Sequence, residues 1–562
     1  FRNYVRDDNV LRYAFESLKK YYKNRLAKII LYVIFSILHK SSIILIPVLT
    51  QRLIDTAVAH NNITQLNHYG LLFLGTVILF ILFLSARYYL QNNIETLIVN
   101  DIKLELFNKI NTIPYEKLIN KDVGFFIQRL ERDCNQIREL IISNYTTLFI
   151  NIVYVLAIIA VMFRLNLLMT LLLLILLPIF VILSKIFVPK IEQLNGKLLE
   201  KGETINSYAE ETINGNYTLR INNAISYMIN KVTNLFHSFF KIQMKEIKYE
   251  IIYDFVLVTG MMNIATLVTY WLGGYLVFKN IFSVGTLVAF TLYFSRLWDP
   301  IELFMEFPKK IGIAKVSLDR INELLNIGSE NDANNRNASL DKFELLELKN
   351  IKFSYDDNRM IFNGLNFLVR KGDKIGINGS NGVGKSTLAN LLIKIINPNE
   401  GDILYNGISY KDIGYVSIRD KVVLIPSDTY LFQTSINENI SFGSETVSKK
   451  ERTSFIDLEN YFTKKGIHFD SIIDNKGQNL SGGEKKLIQL ARGISRDGEI
   501  YIFDEPLNYV DKNFRSIIIE FIKTNFKDKT IIIISHDPDV FQICDRIYWM
   551  NDGKLGALQS DH

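Results

Sequence analysis

The motif Gly379-Ser380-Asn381-Gly382-Val383-Gly384-Lys385-Ser386 lies between two runs of different character. Before it, Lys374 to Ile377 has the apolar pattern of a short buried strand, and after it Thr387 to Ile396 has helical spacing. A G-x-x-x-x-G-K-[ST] pattern between a strand and a helix is typical of a phosphate-binding loop. Its glycines let backbone N–H groups turn toward one phosphate, and the positive end of the following helix adds to them. The stretch therefore predicts an α/β domain that binds a nucleotide.

The side chains of this loop predict ATP and Mg²⁺ as ligands. Lys385 supplies a mobile positive charge for the β- and γ-phosphate oxygens, and Ser386 offers a hydroxyl to the metal ion. We expect Thr387, at the start of the helix, to contact the nucleotide as well. The alternative, a glycine-rich turn that arose by chance, is disfavoured by the strand and the helix on either side.

A second run, residues 499–505, is an apolar strand that ends in two carboxylates, Asp504 and Glu505. At the C-terminal mouth of a parallel strand both side chains can reach a ligand. We expect Asp504 to hold Mg²⁺, directly or through water, and Glu505 to accept a proton from the attacking water. Without the phosphate-binding loop, the same residues would be interpreted as a strand-end turn with two solvated acids.

A third motif, Leu480-Ser481-Gly482-Gly483-Glu484, precedes a helix predicted from Lys485 to Ile494. Its amides and the Ser481 hydroxyl form a second anion site at a helix N-terminus. One nucleotide cannot easily use two such helix ends of one domain. Two copies of the chain packed head to tail would solve this, with the loop of one copy facing Ser481–Gly483 of the other.

With these three motifs in this order, residues 343–562 resemble the nucleotide-binding domain of ABC ATPases. The resemblance implies that Tyr355, which follows Phe353-Ser354, stacks on adenine as aromatic rings stack on bases. It also implies that Asp511 belongs to the loop after the carboxylate strand and contributes to the nucleotide site. His536, in Ser535-His536-Asp537, is similar to the family's switch histidine at a strand end and is expected to act in catalysis.

The sequence departs from the family pattern at three loops. Ser427 stands where the family usually has a glutamine that reaches Mg²⁺ and the membrane domain. Serine is shorter, so we retain Ser427 as a third candidate metal-site residue and expect weaker coupling to the membrane half. The loop Asp474-Asn475-Lys476-Gly477 lacks the usual glutamate, and 507–511 lacks the usual small residues. Lys385, Asp504, Glu505 and His536 are all present, so ATP hydrolysis is still expected.

The N-terminal half contains long apolar runs, and about 20 apolar residues suffice to cross a bilayer. We predict an all-α transmembrane domain with long cytosolic helix extensions, followed by the α/β P-loop domain. The predicted division is an N-terminal segment at 1–26, a transmembrane domain at 27–321, a linker at 322–342 and the nucleotide-binding domain at 343–562. The six predicted spans are 27–50, 69–90, 144–163, 166–188, 252–277 and 284–306.

Charge in the connections predicts the orientation. Lys and Arg concentrate before the first span and in the long stretches 91–143 and 189–251, which places both termini and both long loops in the cytosol. Residues 105–137, with Pro114, Phe126, Arg129 and Asp133, resemble the first intracellular loop of exporter-type (type IV) ABC transporters. That resemblance extends over 20–562 and implies short coupling helices near 114–121 and 209–217, which dock on the ATPase domains.

Composition excludes several other classes. The formal net charge of +6 is too small to indicate nucleic-acid binding, and excess Lys and Arg in cytosolic loops explains it. The two cysteines, Cys134 and Cys544, both fall in segments placed in the cytosol, which argues against disulfides and a cysteine metal site. Richness in Asn, Ile and Lys suggests a bacterial source. We expect the first span to act as the targeting signal to the inner (plasma) membrane, with no peptidase-like region before it.

The family resemblance implies an ATP-driven exporter of peptides, natural products, drugs or lipids. We favour a homodimer, because the catalytic residues of this chain are intact. One half of a heterodimeric exporter is the main alternative, and a nucleotide-gated membrane regulator that does not pump is a third. The number and length of the apolar runs exclude a soluble ATPase.

Charged residues inside the predicted spans suggest a substrate site. His39 and Lys40 lie near the middle of the first span, and Arg87 and Arg296 lie in the second and sixth. The alternative for Arg87 is a position at the cytosolic interface. Such charges are costly in a bilayer and usually face a partner or a water-filled path. Pairing of Arg296 with Asp299, or of Lys40 with an acid such as Glu302, is the structural alternative. The functional interpretation is a basic patch for a carboxylate-bearing amphipathic substrate, with apolar contacts from Phe290, Tyr293 and Trp298. The alternative for these three aromatic residues is a role in packing.

Overall fold

The computed structural model describes residues 8–60, 63–118, 121, 123–330, 338–355, 360–428, 430–441, 459, 461–474, 477, 479–508 and 510–557. The chain forms two compact units, Phe1–Glu105 with Gln128–Asn322, and Leu106–Ile127 with Glu323–His562. Several predicted features extend outside the described residues: parts of the N-terminal segment and linker, Asn475, Lys476 and Tyr509.

The described residues before residue 326 are mainly helical. Their helices are α1 Asp8–Tyr22, α2 Leu26–Asp55, α3 Ile63–Ile110, α4 Tyr115–Leu118, α5 Val123–Gln128, α6 Cys134–Gln136, α7 Ile142–Leu165, α8 Leu167–Leu174, α9 Leu176–Asn214, α10 Asn216–Ile221, α11 Ile225–Ile251, α12 Gly260–Phe278, α13 Val284–Ser295 and α14 Trp298–Leu325. Wider π-helical turns at Thr56–His60, Arg129–Asp133 and Ile252–Thr259 continue neighbouring helices.

Each of the six predicted spans falls on these helices. Among the described residues, four continuous helical stretches are long and apolar enough to cross a membrane: Phe15–Val58, Ile63–Ile110, Val123–Leu165 and Ile225–Phe278. In the most apolar window of Ile63–Ile110 no residue is buried, so its leucines and isoleucines lie on the outside of the unit, as lipid-facing residues do. The fourth and sixth predicted spans are interrupted, at Ile175 and at 296–297, and the count of six stays a prediction.

Two buried carboxylates in this unit, Asp133 and Glu95, are paired. The Asp133 carboxylate is fully buried and accepts from Arg129 Nη1 at 2.8 Å and from Ser317 Oγ at 3.1 Å. Glu95, also buried, accepts from Ser143 Oγ at 2.7 Å. The residues that resembled an exporter loop, Arg129 and Asp133, therefore form an ion pair that fixes the local backbone. Loss of one partner would leave a buried charge unpaired.

The predicted short helices differ from the observed ones in their limits. In the first, α4 is one turn long, and Glu116 accepts hydrogen bonds from the Asn397 amide and from Asn397 Nδ2, the latter at 3.1 Å. This contact lies within the second unit, where Leu106–Ile127 groups with Glu323–His562. The second short helix is Asn216–Ile221 rather than 209–217, because α9 continues unbroken to Asn214 and ends at Gly215.

The described residues of the second unit form two sheets. Their strands are β1 Leu345–Ser354, β2 Met360–Arg370, β3 Lys374–Asn378, β4 Glu400–Tyr405, β5 Ile408–Ser409, β6 Val422–Ile425, β7 Ile500–Asp504, β8 Thr530–Ile534, β9 Arg546–Asn551 and β10 Lys554–Ala557. The first sheet is antiparallel in the order β2-β1-β4-β5. The second has the order β10-β9-β3-β8-β7-β6 and is parallel except at β10.

The helices around the parallel sheet are α15 Lys385–Leu392, α16 Tyr415–Lys421, α17 Ile436–Ser441, α18 Gly482–Ile494 and α19 Lys512–Asn525. Strands β7 and β8 are buried along their full lengths, as their unbroken Ile-rich runs require of parallel strands covered on both faces. Because β3, β8 and β7 are parallel neighbours, their C-terminal ends meet at one edge of the sheet. That edge brings the phosphate-binding loop, Glu505 and His536 together.

Candidate functional site

The phosphate-binding loop is shaped by its glycines. Gly382 and Gly384 adopt φ angles of 81° and 105°, which L side chains rarely tolerate. A Cβ at Gly379 would lie 2.7 Å from the Met550 carbonyl oxygen, so the loop also needs glycine for close packing. The following helix begins at Lys385 and ends at Leu392, not at the predicted Thr387 and Ile396. Lys394 at φ 55° lies in the left-handed region, which is incompatible with further helix.

Lys385 is buried within this loop. Its Nζ donates to the carbonyl oxygens of Gly379 at 2.8 Å and Ser380 at 3.1 Å, and it lies 3.9 Å from Glu505 Oε1. Two neutral carbonyls and one distant carboxylate leave its charge only partly compensated. Phosphate oxygens are stronger acceptors for an ammonium group than carbonyl oxygens are. The side chain is therefore already in place to bind an anion in the loop.

The two carboxylates at the end of β7 have different surroundings. Asp504 is buried, its Oδ1 accepts no hydrogen bond within the described residues, and burial raises the pKa of its carboxyl. The Ser386 hydroxyl beside it, Lys486 and Lys385 act in the opposite direction, lowering that pKa. A buried carboxylate oxygen that lacks a partner is an open ligand position next to the predicted hydroxyl ligand. This fits a small divalent cation that prefers oxygen donors.

Glu505 is held by two residues from the end of β8. Its Oε2 accepts from Ser535 Oγ at 3.2 Å and lies 3.0 Å from Nδ1 of His536, while its backbone N–H donates to Ile534 at 2.8 Å. Its φ of 46° lies in the left-handed region, which is unusual for a non-glycine residue. Strained backbone of this kind is common at functional sites. The contacts fix the direction of a carboxylate that faces the phosphate-binding loop.

An open cavity of ≈ 570 Å³ lies over the loop. Tyr355, half-exposed, forms part of its wall, with its ring against Phe353 and its hydroxyl 3.4 Å from Thr387 Oγ1. The exposed ring face suits stacking by a planar base. The cavity is lined by Tyr355, Ile361, Asn381, Gly382, Gly384, Lys385, Ser386, Thr387 and Glu505. The sequence had not suggested Ile361, which enters the site through the β2 strand.

The glycine-rich helix start is built as a capped N-terminus. Ser481 is the N-cap of α18, and its hydroxyl accepts a hydrogen bond from the Glu484 backbone amide at 3.3 Å. The Ser481 backbone amide in turn donates to the Glu484 carboxylate at 2.7 Å. A Cβ at Gly483 would lie 2.6 Å from the Phe514 ring, so the helix packs closely here. The helix begins at Gly482 rather than Lys485. Ser481, Gly482 and Gly483 do not line the cavity over the loop of their own chain.

Asp511 has a local structural task. It is the N-cap of α19, and its Oδ1 accepts from the Phe514 amide at 3.0 Å. It does not line the loop cavity either. A smaller pocket of ≈ 160 Å³ beside it contains Glu505, Asn508 and His536 among its lining residues. The predicted nucleotide contact of Asp511 therefore stays a prediction.

Sequence reasoning missed Lys486. This lysine is almost completely buried, and its Nζ donates to the carbonyl oxygens of Pro426 and Ser427, both at 3.1 Å. Gln489, one turn on, also donates to Pro426 at 2.9 Å. Burial lowers the pKa of Lys486 to about 8, against the raising influence of Asp504, Asp428 and Glu505. The available signal was helical spacing, because Lys486 shares the buried face of α18 with Gly483 and Leu490.

The predicted residues of the membrane half do not all lie together. Phe290 and Tyr293 are fully buried in the apolar core of the unit, and the Tyr293 hydroxyl donates to the Ile44 carbonyl at 2.7 Å. They pack α13 against α2 and do not face an open surface, so we withdraw them as substrate contacts. His39, Lys40 and Arg296 are grouped with Arg87, and the predicted ion pairs of Lys40 and Arg296 are not formed among the described residues.

Two family models match separate parts of the chain. Residues 29–301 match the ABC transporter transmembrane region, and residues 362–508 match the ABC transporter domain family. The chain also shares its fold with a bacterial Atm1-family ABC exporter with ATP bound, with a TM-score of 0.79 at 20% identity and 94% of each chain covered.

Its relatives are export proteins of bacteria. The lactococcin-G-processing and transport ATP-binding protein of Lactococcus lactis is 26% identical, over 90% of this chain and 72% of the relative. The α-hemolysin translocation ATP-binding protein of Escherichia coli O157:H7 is 26% identical with the same coverage. A putative export ATP-binding/permease protein of Rickettsia typhi is 26% identical over 99% of this chain and 96% of the relative. The chain therefore belongs to the ABC transporter family, as an exporter-type protein in which a membrane domain is fused to a domain that hydrolyses ATP to drive transport.

Proposed function

We propose that two copies of this chain pair head to tail and export an amphipathic or hydrophobic substrate from the cytosol by alternating access. ATP then lies between the phosphate-binding loop of one copy and Ser481–Gly483 of the other. The observation that carries the proposal is the placement of Glu505, with His536 Nδ1 at 3.0 Å and Lys385 Nζ at 3.9 Å, beside the loop cavity. This arrangement suits a base that acts on water next to a bound phosphate.

Each residue of the cavity has a separate part in binding ATP. The Tyr355 ring stacks on the base, the amides of the loop cradle the phosphates, and Lys385 exchanges its two carbonyl acceptors for phosphate oxygens. Ser481 to Gly483, which stay outside the cavity of their own chain, offer their amides to the γ-phosphate of the other copy. Asp511 in its cap position lies in the loop that would face the second copy.

Ser386 and Asp504 are the residues that would hold Mg²⁺. The unpartnered Oδ1 of Asp504 and the hydroxyl beside it are oxygen donors of the type this ion prefers. When bound, Mg²⁺ neutralises charge on the phosphates. Within the described ranges no group of three or more His, Cys, Asp and Glu residues forms a metal site by itself, so phosphate and water oxygens would complete the shell. Ser427, at the end of the neighbouring β6, is a third candidate contact.

In the proposed reaction Glu505 accepts a proton from the attacking water. His536 and Ser535 hold Oε2 of the carboxylate, so the direction of the base is set before ATP binds. The γ-phosphate joins the two copies because it is contacted by both, and hydrolysis removes that link. ATP binding thus favours the closed pair, and hydrolysis favours the open pair. This population shift derives from contacts that form only in the closed pair.

A peptide is the substrate class that the relatives favour. Two of them are named for lactococcin G and for α-hemolysin, both polypeptides. We place the chain in the bacterial plasma membrane with both termini in the cytosol, on the Lys and Arg content of the segments around the first span. A heterodimer with a different half-transporter is the second candidate, and a nucleotide-gated regulator without pumping is the third.

The first test removes the base. Glu505→Gln in the full chain, reconstituted in nanodiscs, should keep ATP binding and lose at least a hundredfold in turnover, in line with the loss of a general base. Glu520→Gln, an exposed glutamate on α19, is the matched control and should turn over ATP at the wild-type rate. Turnover by Glu505→Gln close to that of wild type would show that another group is the base.

The second test addresses the head-to-tail pair. Lys385→Ala disables the loop and Ser481→Arg blocks the opposing helix start, so each variant alone should be inactive. Co-expression of the two should restore ATPase activity, because one of the two sites in a mixed pair is then intact. Co-expression of Lys385→Ala with the double variant should restore none. No recovery in the first mixture would exclude a site shared between copies of this chain and would favour the heterodimer.

A third test, in proteoliposomes, distinguishes a transporter from a nucleotide-gated regulator. A transporter should accumulate a fluorescent amphipathic peptide inside inside-out vesicles when ATP is added, and the Glu505→Gln chain should not. A regulator would show ATP-dependent change in membrane permeability without accumulation against a gradient.

A further inference from the structure

Basic side chains meet deep within the helical unit. His39 and Lys40 lie in α2, Arg87 lies in α3, and Arg296 lies between α13 and α14. His39 interacts electrostatically with Lys40, Arg87 and Arg296, and Lys40 with both arginines and with Asp299. Three strongly basic groups therefore lie near one another, and one carboxylate, Asp299, interacts with Lys40. Because these residues come from helices distant in sequence, the fold creates this basic cluster of Lys40, Arg87, Arg296 and His39.

The basic groups of the cluster are not neutralised by ion pairs. Among the described residues no carboxylate lies within 4.0 Å of Lys40, Arg87 or Arg296, although acids lie nearby on α14. Lys40 Nζ instead lies over the Tyr154 ring, 4.2 Å from its centre. His39 is only 5% exposed, stacks on Phe80 with ring centres 5.1 Å apart, and has no hydrogen-bond partner for Nδ1 among these residues. A buried polar atom without a partner is costly, which points to a missing ligand or water.

A break in a helix occurs at the same place. α13 ends at Ser295 and α14 begins at Trp298, so Arg296 and Leu297 interrupt the sixth predicted span near its middle. Pro300 provides the cause, because it has no N–H to donate to the Arg296 carbonyl one turn earlier. Irregular backbone at membrane depth is tolerated where it is buried in protein or lines a water-filled space. Arg296 is half-buried, as are Lys40 and Arg87, so the cluster retains access to a ligand.

We infer that Lys40, Arg87 and Arg296 bind the anionic group of an amphipathic molecule, with His39 as a neighbouring hydrogen-bond partner. The inference rests on the proposed export function, since it names the substrate class of that transporter. Glu302 interacts electrostatically with Glu306, Asp299 and Asp254, so acidic groups accumulate from Asp299 onward and make that end unfavourable for an anion. The ligand therefore directs its negative group to the Arg296 end. Its apolar part follows the half-buried ring of Phe80.

The test compares one anionic amphiphile with its neutral ester. 11-(Dansylamino)undecanoic acid and its methyl ester are titrated into the full chain in phosphatidylcholine nanodiscs without nucleotide, and bound probe is followed by dansyl fluorescence. Wild type should bind the acid about tenfold or more tightly than the ester, the factor expected from one interaction with a charged group. Equal affinity of the wild-type chain for acid and ester would overturn the inference, whether or not any variant folds.

Two variants test whether the basic cluster causes the preference for the acid over the ester. Lys40→Met and Arg296→Met keep similar length and remove the charge, so the acid-to-ester ratio should fall toward one, while Lys40→Arg should retain it. Lys279→Met is the matched control, because Lys279 also lies over a tyrosine ring, 5.8 Å from the centre of Tyr275, but is exposed outside the cluster. Its ratio should equal that of wild type. An unchanged ratio in folded Lys40→Met and Arg296→Met would place the anion elsewhere and refute the assignment.

Two sources could supply this chemistry, a transported amphiphile or a membrane phospholipid. Nanodiscs containing phosphatidylglycerol distinguish them, since displacement of the acid identifies a lipid headgroup and retention identifies a transported molecule. Binding is measured without ATP, whereas the proposed export function fails only if ATP-driven accumulation is absent. The two failures are therefore observed separately.

Discussion

The buried lysine beneath the carboxylates permits a quantitative prediction. Burial lowers the pKa of Lys486 from an ordinary 10.5 to about 8. The folded state then loses this proton at lower pH than the unfolded state does, so the unfolded state binds more protons between pH 8 and 10.5. Stability therefore increases with pH in this window. With these two pKa values, linkage gives about 2 kcal/mol of added stability between pH 7.5 and pH 9.5.

The perturbation is Lys486→Met, which removes the titrating group and keeps most of the volume. At pH 7.5 the burial of the charged lysine lowers the free energy of unfolding by about 3 kcal/mol, relative to a lysine with the same pKa in both states. Its two hydrogen bonds to Pro426 and Ser427 offset part of that cost. The free energy of unfolding of wild type, relative to the variant, should thus increase by about 2 kcal/mol from pH 7.5 to 9.5. The absolute difference at either pH depends on how well methionine packs, and the change with pH does not.

The assay follows one tryptophan in the full chain. The sequence has three, and Trp549 on β9 is the one in the ATPase unit, so a Trp271→Phe, Trp298→Phe background makes fluorescence report on that unit. Guanidinium unfolding at the two pH values gives the free energies, and Lys485→Met, a half-buried neighbour on the same helix, controls for general effects of charge. Parallel pH dependence of wild type and Lys486→Met would refute the reasoning, because it would mean that the lysine titrates alike in both states.

Two further predictions concern the loops. Ser427→Gln should raise the ratio of substrate-stimulated to basal ATPase rate, because the longer amide can reach the metal site and the membrane half. Ser427→Asn, whose side chain is one methylene shorter than that of glutamine, is the control. An unchanged ratio in Ser427→Gln would mean that another group already couples the halves. Gly384→Ala should destabilise the ATPase unit by about 1–3 kcal/mol, since its φ is 105° and the new Cβ would lie 2.5 Å from Ile361 Cγ2. Gly407 has a φ of 80° but open space around a Cβ, so Gly407→Ala measures the cost of backbone strain without a steric clash. Equal unfolding curves of the two alanine variants, followed by Trp549 fluorescence, would contradict the predicted clash between the new Cβ at position 384 and Ile361.

Local patterns were enough to place the chemistry along the chain. The phosphate-binding loop, the Asp504–Glu505 pair and the start of α18 all lie where their motifs predict, because each is specified by residues a few positions apart. Element limits were less accurate. The helix after the loop ends at Leu392, since Lys394 adopts a left-handed conformation, and a long apolar run masks the interruption caused by Pro300.

Contacts between distant residues could not be predicted in the same way. Phe290 and Tyr293 were assigned to a substrate site, yet both are fully buried, because composition alone does not tell a core aromatic from a lining one. Lys486 resembled an ordinary surface lysine until the fold placed it under the end of β6. Similarly, the hydrogen bond from Asn397 to Glu116 joins residues 281 positions apart.

The sequence by itself determined the family and the reaction and predicted the residues at the phosphate edge, because strand–loop–helix motifs encode backbone shape and charge locally. It also determined that the N-terminal half is apolar enough for a membrane. Only the tertiary structure decided that Ser535 and His536 orient Glu505, since that requires β7 and β8 to be parallel neighbours. It likewise decided that Lys40, Arg87 and Arg296 share one place, because side chains on separate helices meet only when the helices pack.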